Sequence, residues 1–341
     1  TGVLTPQEID ELMQIMRNLV KEGKSIIVIT HKLDEIKAVA NRCTVIRRGK
    51  FIGVVDVATT SVGDMAAMMV GRPVNFKVEK KPCEPGDTVL EIKNLNVMNA
   101  KKVLGVKDFS LSVRSGEIIG IAGVDGNGQS ELVEAITGLR KIESGDVIFK
   151  GQTITHISIE ERNEMGLGHI PEDRQVRGLI LGAPLTTNMV IKEFREPKFS
   201  KHGILDFDAI DEYTDEIIKK FDVRSGEGKD SLAGKLSGGN QQKAIIGREI
   251  TADPDLLIAV QPTRGLDVGA IEFIHEQLVA QRDKGKAVLL VSFELDEIFN
   301  LSDKIAVINA GRLIDIVDTN KTDVHSIGLM MAGIKKERDD E

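Results

Sequence analysis

Three short stretches carry residue types and spacings that could do chemistry. Gly123-Val-Asp-Gly126-Asn-Gly128-Gln129-Ser130 combines three glycines with a hydroxyl, after the apolar run Gly116–Ala122 and before a helical pattern. Glycines let a backbone wrap a phosphate, and the start of a helix offers it free N–H groups. The full phosphate-loop pattern is G-x-x-x-x-G-K-[ST]. Here Gln129 occupies the lysine position, Ser130 keeps the hydroxyl and Glu131 follows. The second stretch is Leu236-Ser237-Gly238-Gly239-Asn240-Gln241-Gln242-Lys243, again opening a helical pattern. Its serine supplies a hydroxyl, its glycines allow close approach, and its helix aims a positive end at an anion. The third is His31, which follows the apolar run Ile26–Ile29. An imidazole there can hydrogen-bond a phosphate, or simply be structural.

The surrounding pattern says what must position these groups. Strands are expected at 88–93, 107–113, 116–122, 256–260 and 287–292. Helices are expected at 131–139, through a helix-rich middle at 207–250, and at 269–283 and 294–301, before a β-rich end. Short apolar strands alternating with amphipathic helices predict an α/β fold with a mostly parallel sheet covered on both faces.

An internal repeat organises the chain. Residues 23–36 (GKSIIVITHKLDEI) match 285–298 (GKAVLLVSFELDEI) at an offset of 262. The same offset pairs Gly49 with Gly311, Ile52 with Ile314 and Gly71 with Gly333, and places His31 opposite Phe293. The Met-rich stretches at 65–69 and 329–331 also align, and are expected to be packing. The expected domains are 1–80, the C-terminal part of a first copy; a linker at 81–87; a second copy at 88–334; and a solvated charged tail at 335–341. The first copy lacks a counterpart of residues 88–262, so the chain is expected to be N-terminally truncated.

The LSGGNQQK stretch resembles the signature motif of ABC-type ATPases, in the form found in sugar and nucleoside importers. Other motifs fall in family order. Leu256–Val260 with Gln261 resembles the Walker B strand, Gly265-Leu-Asp267 the D-loop, and Ser292-Phe293 the switch position. Pro171-Glu172-Asp173-Arg174, followed by Gly178-Leu179, resembles the PEDR…GL stretch in the Q-loop region. Gly2–Thr5 would be the first copy's D-loop region. The resemblance spans essentially the whole chain. It implies a P-loop NTPase cassette with a mostly parallel sheet, an antiparallel β part and a helical subdomain.

Four positions depart from the family pattern. Gln129 brings no charge to phosphate, where charge-assisted bonds are worth about 1.5–3 kcal/mol against about 1 for neutral ones. Val260 replaces the Asp that helps hold Mg²⁺. Gln261 replaces the Glu that activates water, and an amide takes no proton. Phe293 replaces the switch histidine. Ser130 remains as a weak Mg²⁺ ligand. The nucleotide contacts implied are Gly123, Gly126, Gly128, Gln129, Ser130 and Glu131 on one side, with Ser237, Gly238, Gly239 and Gln241 offered by the signature. In the family, two cassettes pair head to tail, each ATP lying between one cassette's Walker motifs and the other's signature. The second copy keeps what it offers its partner and has lost what it would use itself. His31 reads as the switch histidine of the first copy.

The resemblance implies an energising subunit that uses ATP and Mg²⁺ to drive uptake of a nucleoside or simple sugar. Its full set of losses looks most like nucleoside importers. The implied partners are integral membrane permease subunits and, indirectly, an extracytoplasmic solute-binding lipoprotein. The implied place is peripheral, on the cytoplasmic face of the membrane. The isolated chain is expected not to hydrolyse ATP. A soluble non-transport scaffold or regulator of the ABC type is the alternative; it would normally keep intact Walker motifs in both copies. A formal charge of −8 argues against nucleic acid as a partner. Cys43 and Cys83, the two cysteines, fit a reducing compartment better than a disulfide framework. No apolar run approaches the roughly 20 residues needed to span a bilayer.

Overall fold

The computed structural model describes residues 6–30, 32–47, 49–75, 77–82 and 84–334. His31, Cys83, the Gly2–Thr5 stretch and the 335–341 tail lie outside them. The described residues divide into two compact units. One is formed by those up to Lys77 together with Thr263–Phe273, the other by Val78–Pro262 and those from Ile274 onward.

In the first unit, helices α1 (Pro6–Lys21) and α2 (Leu33–Val39) precede an antiparallel hairpin, β1 (Arg42–Arg47) and β2 (Lys50–Asp56), and then α3 (Val62–Val70). Ser61 caps α3 by accepting from the Asp64 N–H, and Gly71 closes it in the left-handed region. Leu33, Met65, Ala66 and Val268 form its small core, so Met65 is packing as expected. Residues 24–30 repeat the sequence of 286–292 but make no strand. Ile27 and Ile29 are 92% and 97% exposed, whereas their repeat counterparts Leu289 and Val291 are buried. A parallel strand needs a ladder partner, and the one antiparallel hairpin described in this unit pairs with itself.

The second unit opens with β3 (Thr88–Met98), β4 (Leu104–Arg114), β5 (Ile118–Ala122), α4 (Gln129–Thr137), β6 (Ser144–Phe149), β7 (Gln152–Thr153), α5 (Ile159–Glu164) and β8 (Leu167–Ile170). A π-helical turn at Arg174–Gly178 leads to α6 (Leu185–Val190), the small hairpin β9 (Ser200–Lys201) and β10 (Ile204–Leu205), α7 (Phe207–Lys220) and α8 (Gly238–Thr251). Then come β11 (Leu256–Val260), α9 (Val268–Asp283), β12 (Ala287–Val291), α10 (Leu295–Leu301), β13 (Lys304–Asn309), β14 (Arg312–Asp318) and α11 (Val324–Met331).

The main sheet runs β14-β13-β5-β12-β11-β8, parallel except for the β13–β14 edge. Strands β5, β11 and β12 are buried at every position, which is why they read as continuous apolar runs. A second sheet, β4-β3-β6-β7, is antiparallel. Leu132, Val133, Ala135 and Ile136 of α4 enter the core that both sheets share. The mostly parallel sheet, the antiparallel part and a helical region around α6–α8 match the implied cassette.

Two boundaries differ from expectation. Helix α4 spans 129–137 rather than 131–139, because Gly128 (φ 105°) and Gly138 (φ 83°) cap it in conformations other residues resist. β3 and β4 are longer than expected, paired through several bulges. Around the expected linker at 81–87, Val78, Lys80 and Gly86 are hydrogen-bonded within the second unit. Val78 N–H donates to Asn300 Oδ1, the Lys80 ammonium to the carbonyls of Leu301 and Ser302, and Gly86 N–H to the Ser115 carbonyl.

Candidate nucleotide site

The parallel sheet gathers the motifs. Residues 123–128 leave the carboxyl end of β5, Gln261 that of β11, Ser292-Phe293 that of β12, and Pro171-Glu172 that of β8. Ligands of open α/β sheets sit in the crevice beyond these ends.

The loop itself has phosphate-cradle geometry. Gly126 and Gly128 are left-handed (φ 81° and 105°), and the α4 N-terminus carries no side-chain cap. Asn127 braces it from below, its N–H donating to the Val124 carbonyl and its side-chain oxygen accepting from the Ala310 N–H. Gln129 does not reach outward. Its side chain is 2% exposed and folds under the loop, Nε2 donating to the Val124 carbonyl at 3.1 Å. Its Oε1 is buried without a hydrogen-bond partner. The amide therefore brings no positive charge to the cradle. Ser130 is exposed and its hydroxyl donates to Glu172 Oε2 at 3.4 Å. Glu131 lies over Gly105, against which its side chain packs.

At the other strand ends, Val260 is 4% exposed and belongs to the core. Gln261 adopts φ 48°, a conformation that costs a non-glycine residue on the order of 1–3 kcal/mol. Its N–H donates to the Val291 carbonyl, and its buried Nε2 has no partner. Such a donor suits a phosphate oxygen or water. Phe293 is half-buried and offers no hydrogen bond. Among the described residues no group of three or more His, Cys, Asp or Glu side chains could hold a metal ion. Glu172 beside Ser130 is the acid that the sequence reading did not assign to this site. Its place directly after β8 was the signal available.

The signature turn stands at the start of the 14-residue helix α8. Ser237 is the N-cap residue, yet its hydroxyl makes no cap bond to the backbone and instead accepts from Asn240 Nδ2 at 3.0 Å. The helix N-terminus is therefore left open, as an anion site requires. Gln241 corrects an expectation. It is 2% exposed, donates to the Ala233 carbonyl and accepts from Gln175 Nε2. It braces the helix from inside and faces no nucleotide.

Deeper in this unit, Glu249 at the end of α8 accepts from the His169 N–H (3.0 Å) and pairs with Lys192 (2.7 Å) and Arg248 (3.0 Å). Burial pushes the Glu249 carboxyl upward, but Lys192 and Arg248 outweigh it and hold the group at about 2. Burial, with Lys192 next in weight, pulls the His169 imidazole down to about 4. The Glu249 carboxylate, bonded to the His169 N–H of β8, pins the signature helix to the sheet.

Comparison with known proteins agrees with this geometry. Residues 106–264 match the ABC transporter family model. The chain is 54% identical over 333 residues to a nucleoside import ATP-binding protein (NupA) of Lactococcus lactis, covering 98% of this chain and 66% of that protein. It is also 54% identical to a guanosine import ATP-binding protein (NupO) of Bacillus subtilis, covering 98% and 65%. A glucose import ATP-binding protein (TsgD13) of Haloferax volcanii is 43% identical, with 98% and 61% covered. The chain thus spans just under two thirds of these relatives. Among solved structures, MJ1267, an ATP-binding cassette of an ABC transporter, superposes with a TM-score of 0.61 at 23% identity, covering 73% of this chain and 99% of that one. The chain carries an ATP-binding cassette fold, and its residues 106–264 form a domain of the ABC transporter family.

Proposed function

We propose that this chain is part of the energising subunit of an importer and that its cassette completes an ATP site rather than firing one. The observation that carries this is an asymmetry within one cassette. Both helix N-termini are uncapped, but the signature turn keeps its exposed serine, while the Gln129 amide at the lysine position is folded under the phosphate loop and brings it no charge. ATP hydrolysis would then occur where Ser237, Gly238 and Gly239 meet the Walker motifs of another cassette, with a switch histidine such as His31. Residues 1–80 and 88–334 act as parts of two cassettes, and 81–87 joins them. The degenerate loop fits a nucleotide at the backbone level. Ser130, with Glu172 beside it, is the pair that would hold Mg²⁺. No described helix is long and apolar enough to cross a membrane. On the importer reading the chain works with integral membrane permease subunits. Those subunits would anchor the chain peripherally on the cytoplasmic face, beneath a solute-binding lipoprotein outside. Val176 (77% exposed), within the Arg174–Gly178 turn, and Ile180 (47%), just after it, offer an apolar contact for them. The cargo we favour is a nucleoside, in keeping with the names of the two 54%-identical relatives.

Uptake of radiolabelled guanosine in a strain deleted for this chain tests the reading. Uptake is expected to fall to the diffusion level, with sugar uptake unchanged, and a Ser237→Ala copy should fail to restore it. Undiminished nucleoside uptake in the deletion strain overturns it.

A further inference from the structure

Among the described residues, Ser61, Ser158 and Ser237 stand at α-helix N-caps with nearly the same backbone. Their φ and ψ are −70° and 157° before α3, −66° and 164° before α5, and −63° and 156° before α8. Ser61 and Ser158 cap their helices, each accepting from the backbone N–H three residues on, that of Asp64 or Glu161. Ser237 has the backbone to do the same with the Asn240 N–H and does not. What differs is the side chain at that third position. Ser61 donates its hydroxyl hydrogen to the Asp64 carboxylate at 2.6 Å, and Ser158 to that of Glu161 at 2.7 Å. Both hydroxyls are spent locally, as acceptor and as donor.

At Ser237 the third residue carries an amide, and its orientation is fixed from behind. Asn240 Oδ1 accepts from the Arg224 N–H at 2.8 Å. A backbone N–H only donates, so the oxygen end faces Arg224 and the NH₂ end faces Ser237. Nδ2 accordingly donates to Ser237 Oγ at 3.0 Å. The turn that presents the Arg224 N–H is itself held on α8. Lys243, three residues beyond Asn240 and so on the same face, donates to the Asp222 carbonyl at 3.2 Å and to its carboxylate at 3.0 Å. A hydroxyl has one hydrogen and two acceptor positions. With an N–H of Asn240 on its oxygen, Ser237 turns its own hydrogen away from Asn240. The amide, unlike a carboxylate, leaves that hydrogen unspent.

We propose that Asn240 is a positioning residue. It holds Ser237 as an outward hydrogen-bond donor and keeps it from capping its own helix, so that the hydroxyl and the first N–H groups of α8 serve one anion together. This rests on the function proposed above, in which the anion is the terminal phosphate of an ATP held by another cassette's Walker motifs.

The test uses the importer assembled with its membrane subunits in liposomes, reading kcat for ATP, with urea midpoints of the purified chain alongside. Asn240→Ala releases Ser237 to cap α8 as Ser61 and Ser158 cap theirs. It should lower kcat at least about tenfold, the worth of one hydrogen bond to a charged group, with the midpoint close to wild type. Asn240→Asp matches the size and keeps the Arg224 bond, but turns the donor into an acceptor. It should lose as much rate while its midpoint stays level or rises, since the turn becomes a cap like the other two. Asn240→Gln is larger but keeps the NH₂, and should recover part of the rate. A role in packing alone would rank the isosteric Asp above Gln. In a Ser237→Ala background, Asn240→Ala should cost nothing further, because its effect runs through that hydroxyl. Wild-type kcat in Asn240→Ala, Asp outperforming Gln, or an Asn240→Ala loss that persists without the hydroxyl overturns the proposal. Wild-type turnover in Ser237→Ala itself overturns the reading that this signature turn completes an ATP site, and the proposal with it.

Discussion

Replacing Gln129 by lysine should convert the uncharged phosphate loop into a binding one without making it an enzyme. The Gln129 amide makes one neutral hydrogen bond, to Val124, worth about 0.5–1.5 kcal/mol. Its orphaned Oε1 costs about 1–3 kcal/mol, so the present arrangement is close to neutral for stability. A lysine can reach the same Val124 carbonyl but brings a charge into a position 2% exposed. Without ligand that charge is a burden, and the variant should melt at or below the wild-type temperature. With a triphosphate bound, a charge-assisted bond replaces a neutral one. The difference is about 1–2 kcal/mol, or about a 5–30-fold lower Kd.

The assay is titration of the chain with a fluorescent ATP analogue and Mg²⁺, at two salt concentrations, for wild type, Gln129→Lys and Gln129→Leu. Lysine should bind tightest and lose affinity most steeply with salt. ATP turnover by the variant should stay at background, because Val260 and Gln261 still supply no carboxylate. Equal Kd values for lysine and leucine would refute the claim that charge at position 129 limits binding. Turnover above background would refute the claim that the strand-end carboxylates are the missing catalytic parts.

Two predictions concern the ionisable groups where α8 meets β8. The folded value of His169, about 4, lies below its unfolded 6.5. Its contribution is therefore intact above pH 6.5, and roughly 3 kcal/mol is lost as the pH falls from 6.5 to 4. His169→Gln should flatten the melting temperature over that window, and an unchanged slope would count against a buried neutral imidazole. Glu249, held at about 2 against 4.5, contributes stability above pH 4.5 that is lost between 4.5 and 2. At pH 7, Glu249→Gln should cost about 3–5 kcal/mol by stranding Lys192 and Arg248, measured by urea denaturation. A cost below 1 kcal/mol would show that those cations find water.

Burial decided what the sequence could reveal. β5, β11 and β12 were legible because strands covered on both faces carry unbroken apolar runs. The antiparallel sheet was half legible: β3 and β4 showed as strands, but their bulged pairing and their partners β6 and β7 depend on contacts far along the chain. The ends of α4 moved because two glycines, not the apolar pattern, stop it. Gln241 was read by its chemistry as a nucleotide contact. Its phase on the helix, in line with Gly238 and Ile245, pointed inward all the same, and that signal was stronger. The Arg174 guanidinium lies against Gly238, 64 positions away in the sequence, so no local rule could join them.

The phosphate loop shows why a glycine pattern and a binding site are separable. A Cβ on Gly128 would lie 2.4 Å from the Gly105 carbonyl oxygen, and one on Gly123 would lie 2.8 Å from that of Ile308. Both are backbone atoms of strands or their ends, and neither can move aside cheaply. The loop must therefore keep these glycines to pack against β4 and β13, whether or not a nucleotide ever binds. The side chains at 129, 260, 261 and 293 carry no such packing demand for a charge. On the proposed function they can do without it, because the working ATP site takes only the signature turn from this cassette. Retention of the glycines is thus a statement about folding, and loss of the charges is the statement about function. A Gly128→Ala variant makes the distinction measurable. It should lower the urea midpoint with no nucleotide present, and a midpoint equal to wild type would show that the loop keeps its glycines for a ligand after all.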